Sequence, residues 1–310
     1  MAWEDDIYRD LNLFWDRLMG PGSLYNLERQ FWLELWRAPA IDAIDEDRIE
    51  ARRYGPVQAT VIPVLPRAPL FNLVLGAADP GAVEEGHLGE TLDWLESLGI
   101  DFRVPIRSEF QESGAAEDLL NQRGYRRSAF LARFVRDASP LVFPEPAGIE
   151  VDEFCEETEG FSDYFGEGFG FDFQGHCLFD GLPGREPWRS YVAIDENDLG
   201  VGAAIMMLHY EVAQLGFSVT NLSARGRGVH IALLRRRILD AIEAGAGLLF
   251  ADTEETSEDL EQFSPAARNL VRAGFRPVSI RPVWQPPALP DIDEDEDEEE
   301  DDDYNFDPEI

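Results

Sequence analysis

The sequence predicts a mixed α/β protein built on a mixed sheet, and three features support this fold class. Segments with helical spacing of apolar residues alternate with short apolar runs typical of strands along most of the 310 residues. The order strand, helix, strand, helix, glycine-aromatic turn and strand occurs twice, as expected of two related units. Apolar residues make up 44% of the chain, which is enough for each unit to bury a core.

The first half combines helical patterns at its start with strands further along. Apolar spacing predicts helices around residues 7–18 and 27–36, interrupted by a glycine-proline-glycine break. A longer helix is predicted from about Glu84 to Leu98, because Gly99 is a typical residue just after a helix. A short helix should end at "RGYRR" (123–127). The strands are predicted at residues 57–65, 71–78, 101–106 and 128–135.

The second half repeats this pattern after a proline-rich linker at residues 137–148. An aromatic and glycine-rich helical stretch covers 161–173, and two further helices are predicted at 226–244 and from Ser264 onward. Strands are predicted at 149–154, 190–195, 200–210, 211–219, 247–253 and 274–284. The domains expected are therefore residues 1–140 and 148–286, followed by a disordered acidic tail at 290–310.

The charge of the chain is strongly negative. Acidic residues number 62 against 26 basic ones, all of them arginine, and the net charge is −36. Such a surface repels phosphates and anionic lipids, so neither nucleic acid nor membrane is an expected partner. High carboxylate content without lysine resembles proteins of extreme halophiles, in which molar salt screens self-repulsion. An acidic protein from an ordinary cytoplasm is the alternative.

Other features predict a cytoplasmic protein without a metal. The N-terminus lacks the basic and apolar regions of a signal peptide, and no apolar run has the length of a membrane span. The two cysteines indicate no disulfide framework, and no histidine and cysteine spacing indicates zinc. The sequence predicts no particular oligomeric state.

The stretch "SARGRGVHIALL" (Ser223–Leu234) concentrates positive charge at one point of this acidic chain. Arg225 and Arg227 alternate with Gly226 and Gly228 just before an amphipathic helix. A helix N-terminus has unpaired amide donors, and glycines allow an anion to approach them closely, so a pyrophosphate is the expected ligand. Neither common nucleotide-binding motif is present. A structural turn with two solvated arginines is the alternative.

The region from Gly148 to Trp284 resembles the GCN5-related N-acetyltransferase (GNAT) family. Arg225, Gly226, Arg227, Gly228 and Val229 follow the family pattern R/Q-x-x-G-x-G/A at a helix start, although His230 replaces the final small residue. The later "RNLVRAGF" fits a version of the pattern with R-N, four residues, and G-F. The resemblance implies tandem acetyltransferase-like domains that use acetyl-coenzyme A as co-substrate.

The resemblance also implies which residues bind the cofactor. The amides from Arg227 to Ile231 would hold the pyrophosphate, with Val229 and His230 among them. Val219 and Thr220 would pair with the pantetheine arm like an added strand. Ser264, itself a predicted helix cap, and Asn269 would contact the pantetheine end. Arg235, Arg236 and Arg237 are candidates for the 3′-phosphate or, alternatively, a solvated helix face.

The first half lacks this phosphate loop. Its equivalent segment, "GAADPGAVEEGH" (76–87), has Glu84 and Glu85 and no arginine. These carboxylates would repel a pyrophosphate, so we expect a degenerate copy that shapes the substrate cleft or stabilises its partner.

The resemblance makes Glu211 the candidate general base, since the family often has a carboxylate at the start of this strand. A solvated Glu211 is the alternative, and Glu254 and Glu255 could also face the cleft. The tyrosine that many members use as general acid is replaced by Leu270.

The function expected is acetyl-coenzyme A-dependent N-acetylation of an unidentified amine by direct transfer. One alternative is a non-catalytic acyl-coenzyme A-binding or sensor protein of the same fold. Another is an interaction protein whose loop binds chloride or sulfate.

Overall fold

The computed structural model describes residues 23–37, 49–63, 65–108, 110, 112–142, 144–154, 160–169 and 179–287. The helix predicted at residues 7–18, the end of the aromatic and glycine-rich stretch, and the acidic tail lie outside the described residues.

Helices and strands alternate along the described chain much as predicted. The helices are α1 (Ser23–Arg37), α2 (His87–Leu98), α3 (Ser113–Gln122), α4 (Phe161–Phe169), α5 (Val229–Glu243) and α6 (Pro265–Arg272). The strands are β1 (Glu50–Tyr54), β2 (Val57–Val61), β3 (Leu73–Leu75), β4 (Val104–Pro105), β5 (Arg126–Asp137), β6 (Ile149–Phe154), β7 (Trp188–Asp195), β8 (Gly200–His209), β9 (Val212–Thr220), β10 (Leu248–Glu255) and β11 (Arg276–Gln285).

Eight strands form one mixed sheet in the order β4-β11-β5-β10-β9-β8-β7-β6. Within it β9 and β10 are parallel, whereas the other neighbouring strands are antiparallel. Strands β1 to β3 form a smaller antiparallel sheet. A parallel bridge between Leu73 and Arg103 connects β3 to the segment just before β4. The predicted mixed α/β fold is confirmed.

The two halves exchange their last strands. Strand β5, from the first half, lies between β10 and β11 of the second half. Strand β11, from the second half, in turn pairs with β4 of the first. Each half therefore completes the sheet of the other, and the predicted linker at 137–148 connects two halves that share one sheet.

The helix-start turns of the two halves have the same backbone geometry. Gly86 precedes α2 and Gly228 precedes α5, both with left-handed φ angles, of 81° and 89°. Such angles favour glycine, and they explain why α2 and α5 begin later than residues 84 and 226. The amide of Ala82 donates to the carbonyl of Asp79, and the equivalent bond is repeated 142 residues later in the second half, from Ala224 to Asn221.

The eight-stranded sheet separates two apolar layers. Ala204 and Met206 of β8 pack in the layer that contains α5 and α6. Ala203 and Ile205 pack in the opposite layer, with the aromatic side chains of α1 and α4. This alternation is the period of two expected of a strand buried on both faces.

Candidate functional site

The parallel strands β9 and β10 separate part-way along their length. They pair only from Val212–Leu248 to Leu215–Ala251. Beyond this point β9 continues with β8 as far as Thr220, while β10 continues with β5 as far as Glu255. Among the described strands, none pairs with the edge of β9 that faces β10 from Gly216 onward.

A β-bulge lies at the point of separation. Two residues of β9, Gly216 and Phe217, stand opposite the single residue Ile205 of β8. The guanidinium of Arg237 on α5 donates from Nη1 to the carbonyl oxygens of Ile205 (3.1 Å) and Gly216 (3.2 Å). These hydrogen bonds satisfy two carbonyl groups at the bulge between β8 and β9.

A cavity of about 590 Å³ occupies the gap between β9 and β10, a volume typical of small-molecule sites. On one side of the sheet its wall includes Phe31 and Trp32 of α1. On the other side it includes His230 of α5 and Leu270 of α6. The cavity is therefore lined from both faces of the sheet.

The N-terminus of α5 meets the requirements of an anion site. The four amides from Gly228 to Ile231 have no hydrogen-bond acceptor among the described residues. A Cβ added at Gly226 would have no atom within 4 Å, so the loop surface there is open. Unpaired amides at the positive end of a helix dipole are a ready site for phosphate.

The two loop arginines differ in their partners. Arg227 donates from Nη2 to the carboxylate of Asp195 at 3.0 Å. The amide of Asn197 and this guanidinium both lower the pKa of Asp195. Arg225 is exposed and makes no ion pair with the described residues. Arg225 can therefore pair with an anionic ligand without first breaking an ion pair within the described chain.

His230 and Asn269 are brought together by α5 and α6. Asn269 Nδ2 donates to His230 Nδ1 at 3.1 Å, so a neutral ring carries its proton on Nε2. Burial, with a smaller contribution from the charge of Arg237, lowers the pKa of His230 to about 4. His230 is therefore neutral at physiological pH, although it lies in the wall of the cavity.

Ser264 caps α6 as predicted and also lies at the cavity. Its Oγ accepts from the amide of Ala267 at 3.2 Å and donates to Glu255 at 2.9 Å. Glu255 is buried by these contacts. Val219 and Thr220 end β9 beside the unpaired edge and are paired with β8 on their other side. The predicted cofactor residues thus gather around one end of the gap.

Glu211 is not brought to this site. It lies exposed in the turn between β8 and β9, at the opposite end of β9 from Thr220. Tyr210 before it has a φ of 51°, which ends β8 and turns the chain. The carbonyl of Glu211 accepts from the amides of Gly247 and Leu248, and its side chain is not part of the cavity wall. The structure therefore gives no support to Glu211 as the base.

The carboxylates that do reach the cavity were not predicted as a group. Glu28 of α1 and Asp252 of β10 are bound by two buried arginines, Arg133 and Arg281, at 2.6–3.0 Å. Burial raises the pKa of Asp252, but the two guanidinium charges outweigh it and lower the pKa overall. This buried ion cluster keeps Asp252 ionised and makes it a poor base.

Glu254 is the third carboxylate of the wall. It forms an ion pair with Arg103, and its side chain keeps 46% of its surface exposed. Unlike the carboxylates of the buried ion cluster, it is in contact with solvent.

The equivalent loop of the first half is filled by a carboxylate of the chain itself. Glu112, just before α3, accepts from the amides of Gly81 (2.6 Å) and Val83 (2.9 Å). Burial raises the pKa of Glu112, but hydrogen bonds from these two amides and from that of Glu84 outweigh burial, so the pKa lies below its ordinary value. At the offset of 142 residues Gly81 and Val83 correspond to Ser223 and Arg225, so Glu112 occupies amides that precede the helix-start turn of the first half, a contact that sequence reasoning did not identify.

The described residues contain neither a candidate metal site nor a membrane span. No cluster of histidine, cysteine or carboxylate side chains could hold a metal ion there. No helix in the described part of the chain is long and apolar enough to cross a membrane.

Comparison with solved structures identifies the fold. A GCN5-related N-acetyltransferase from Sphaerobacter thermophilus is similar with a TM-score of 0.55 and 17% identity, over 74% of this chain and 76% of that one. One from Kribbella flavida has a TM-score of 0.54 and 14% identity, over 78% and 91%. A tandem GNAT protein from the clavulanic acid biosynthesis pathway has a TM-score of 0.51 and 14% identity, over 82% and 93%. The chain has the GNAT fold. No family model and no curated protein matches the sequence.

Proposed function

We propose that the protein is an N-acetyltransferase that uses acetyl-coenzyme A to acetylate an amine. The observation that carries this proposal is the row of unpaired amides at the start of α5, placed at one end of the gap between β9 and β10. A pyrophosphate bound there leaves the pantetheine arm to follow the free edge of β9 toward the cavity. The similarity to N-acetyltransferases in fold supports the same conclusion.

The residues of the loop divide the cofactor contacts between them. The amides from Gly228 to Ile231, including those of Val229 and His230, would bind the pyrophosphate, and Arg225 would pair with it from the exposed side. The amide of Arg227, predicted to join them, instead donates to the carbonyl of Ala224 at 3.3 Å. The backbone of Val219 and Thr220 would pair with the pantetheine arm. Ser264 and Asn269 would contact its far end.

Within the cavity the amine attacks the thioester carbonyl carbon, the carbon–sulfur bond breaks, and the ammonium proton is removed. Glu254 is the carboxylate we assign to proton removal, through water, because it lines the cavity and remains in contact with solvent. Leu270 lies at the cavity and has no proton to give, so the leaving thiolate takes its proton from water.

The same leucine favours a second candidate function, a non-catalytic acyl-coenzyme A-binding protein. The loop, the gap and the cavity would serve binding equally well without a general acid. Turnover is the observation that separates the two functions.

We further propose that the first half is a degenerate copy of the second. The repeated helix-start turn supports a duplication, and the loop of the first half binds a carboxylate of the chain, Glu112, just before that turn. The acidic, lysine-free composition leads us to propose adaptation to high salt, which stability measurements in increasing potassium chloride would test.

The decisive experiment measures release of coenzyme A thiol from acetyl-coenzyme A with a panel of primary amines. Amine-dependent release above the enzyme-free rate supports the transferase. Saturable binding of acetyl-coenzyme A without release supports the binding protein. Absence of both would refute the two functions together.

A further inference from the structure

The cavity wall contains a buried positive charge that no carboxylate of the described chain balances. Arg237 is 2% exposed and lies in the wall of the cavity. Its described hydrogen bonds go to three carbonyl oxygens, those of Leu233, Ile205 and Gly216. Nη2 donates to none of the described residues.

The other charges of the wall are paired. Glu28 and Asp252 are bound by the two arginines of the buried ion cluster. Arg103 is paired with Glu254. His230 is neutral at physiological pH, since its pKa is lowered to about 4. In a chain of net charge −36, the unbalanced charge of this cavity is thus positive.

An unpaired buried guanidinium is costly for the protein. Carbonyl dipoles compensate a full charge only in part, and burial lowers the pKa of Arg237 to about 10. The group is still protonated at neutral pH. Satisfying two carbonyls of the bulge would require only a neutral donor, so the bulge does not account for the charge.

Two further polar atoms of the cavity wall lack a hydrogen-bond partner among the described residues. Ser218 Oγ and Gln214 Oε1 are buried and have no hydrogen-bond partner among the described residues. Both residues line the cavity, two positions on either side of Gly216, whose carbonyl binds Arg237. The hydroxyl of Ser218 can donate to an oxygen anion, whereas Gln214 Oε1 is an acceptor and does not bind one.

From this arrangement we propose that the ligand of the cavity carries a carboxylate, which binds Arg237 and the hydroxyl of Ser218. This inference names the substrate class of the proposed transferase and rests on that function. The carboxylate belongs either to the acyl group, as in a dicarboxylic acyl-coenzyme A, or to the amine acceptor, as in an amino acid.

Paired ligands with and without a carboxylate test this proposal. Calorimetric titration would compare succinyl-coenzyme A with the uncharged butyryl-coenzyme A. A second arm would compare phenylalanine with phenylalaninamide, each with and without acetyl-coenzyme A. We expect the carboxylate to be preferred by about tenfold or more in one arm, as for a hydrogen bond to a charged group. The arm that shows the preference identifies the source of the carboxylate.

Two substitutions of the same residue supply the control. Arg237→Lys keeps the charge, whereas Arg237→Gln keeps a donor for the bulge carbonyls without the charge. The preference should persist in the first variant and disappear in the second, with circular dichroism confirming that both are folded. If neither variant folds, the ligand pairs in the parent protein decide alone.

Equal affinity for the charged and uncharged ligands in both arms would overturn the proposal, as would a preference that survives Arg237→Gln. Failure of every acyl-coenzyme A to bind would instead refute the proposed function. In that case the phenylalanine pair without coenzyme A still tests the carboxylate site.

Discussion

Replacing Glu28 with glutamine should destabilise the protein severely, because it removes one charge from the buried ion cluster. Glu28 receives bonds from Arg281 at 2.9 and 3.0 Å and from Arg133 at 2.7 Å. The side chains of both arginines are only 1% exposed. After Glu28→Gln, two buried guanidinium groups would share Asp252 alone, and breaking a buried pair in this way costs about 3–5 kcal/mol. Total stabilities are about 5–15 kcal/mol, so the loss is a large fraction.

The matched control lies on the same helix. Glu34 pairs with Arg37 at the surface, where the arginine side chain is 64% exposed. Glu34→Gln should change the free energy of unfolding by less than about 0.5 kcal/mol. Urea unfolding at one fixed salt concentration would measure all three proteins, since urea does not screen charges. Equal midpoints for the two variants would refute the energetic role given to the cluster.

Three further predictions concern the site and its counterpart. Lowering the pH from about 7.5 to about 5 should destabilise the parent by about 2 kcal/mol relative to His230→Gln, as measured by urea unfolding. The reason is that His230 gains a proton near its ordinary pKa when unfolded, but only near pH 4 when folded. A stability difference that does not change with pH would contradict this. Glu112→Gln should lower the free energy of unfolding by about 1 kcal/mol at neutral pH. In thermal unfolding this difference should vanish as the pH falls through the lowered pKa of Glu112, and a difference that persists in acid would contradict the prediction. Ser264→Ala should cost about 1 kcal/mol or more in urea, since the cap of α6 and a bond to Glu255 are both lost; an unchanged midpoint would exclude the cap.

Features set by neighbouring residues could be predicted from the sequence. The glycines of the loop require left-handed angles, and both Gly226 and Gly228 have them. Ser264 followed by Pro265 is a local signature of a helix start, and α6 begins there. The alternation of helices and strands could be predicted for the same reason, because each element depends mainly on the periodicity of its own apolar residues.

Features set by distant residues could not be predicted in this way. Exchange of β5 and β11 depends on pairings more than 100 residues apart. Arg237 was a candidate for the 3′-phosphate or for a solvated helix face, but it is buried against the bulge. No prediction was made for Glu112, since the sequence does not show which loop lies beside it. Glu211 was the candidate base because the family often has a carboxylate at the start of this strand. The turn at Tyr210 instead leaves it at the end of β9 that lies farthest from Thr220.

The most direct test of the account is calorimetric titration of acetyl-coenzyme A into the parent protein and two variants of Gly226. Its φ of 80° is one that asparagine and aspartate tolerate, and a Cβ there meets no atom within 4 Å. Gly226→Asn should therefore bind nearly as well as the parent, whereas Gly226→Asp should lose about tenfold or more in affinity through repulsion of the pyrophosphate. The comparison belongs at the lowest salt concentration at which circular dichroism shows the fold intact, since salt screens the added charge. Equal binding by both variants, or no binding by the parent, would contradict the assignment of this loop to the cofactor.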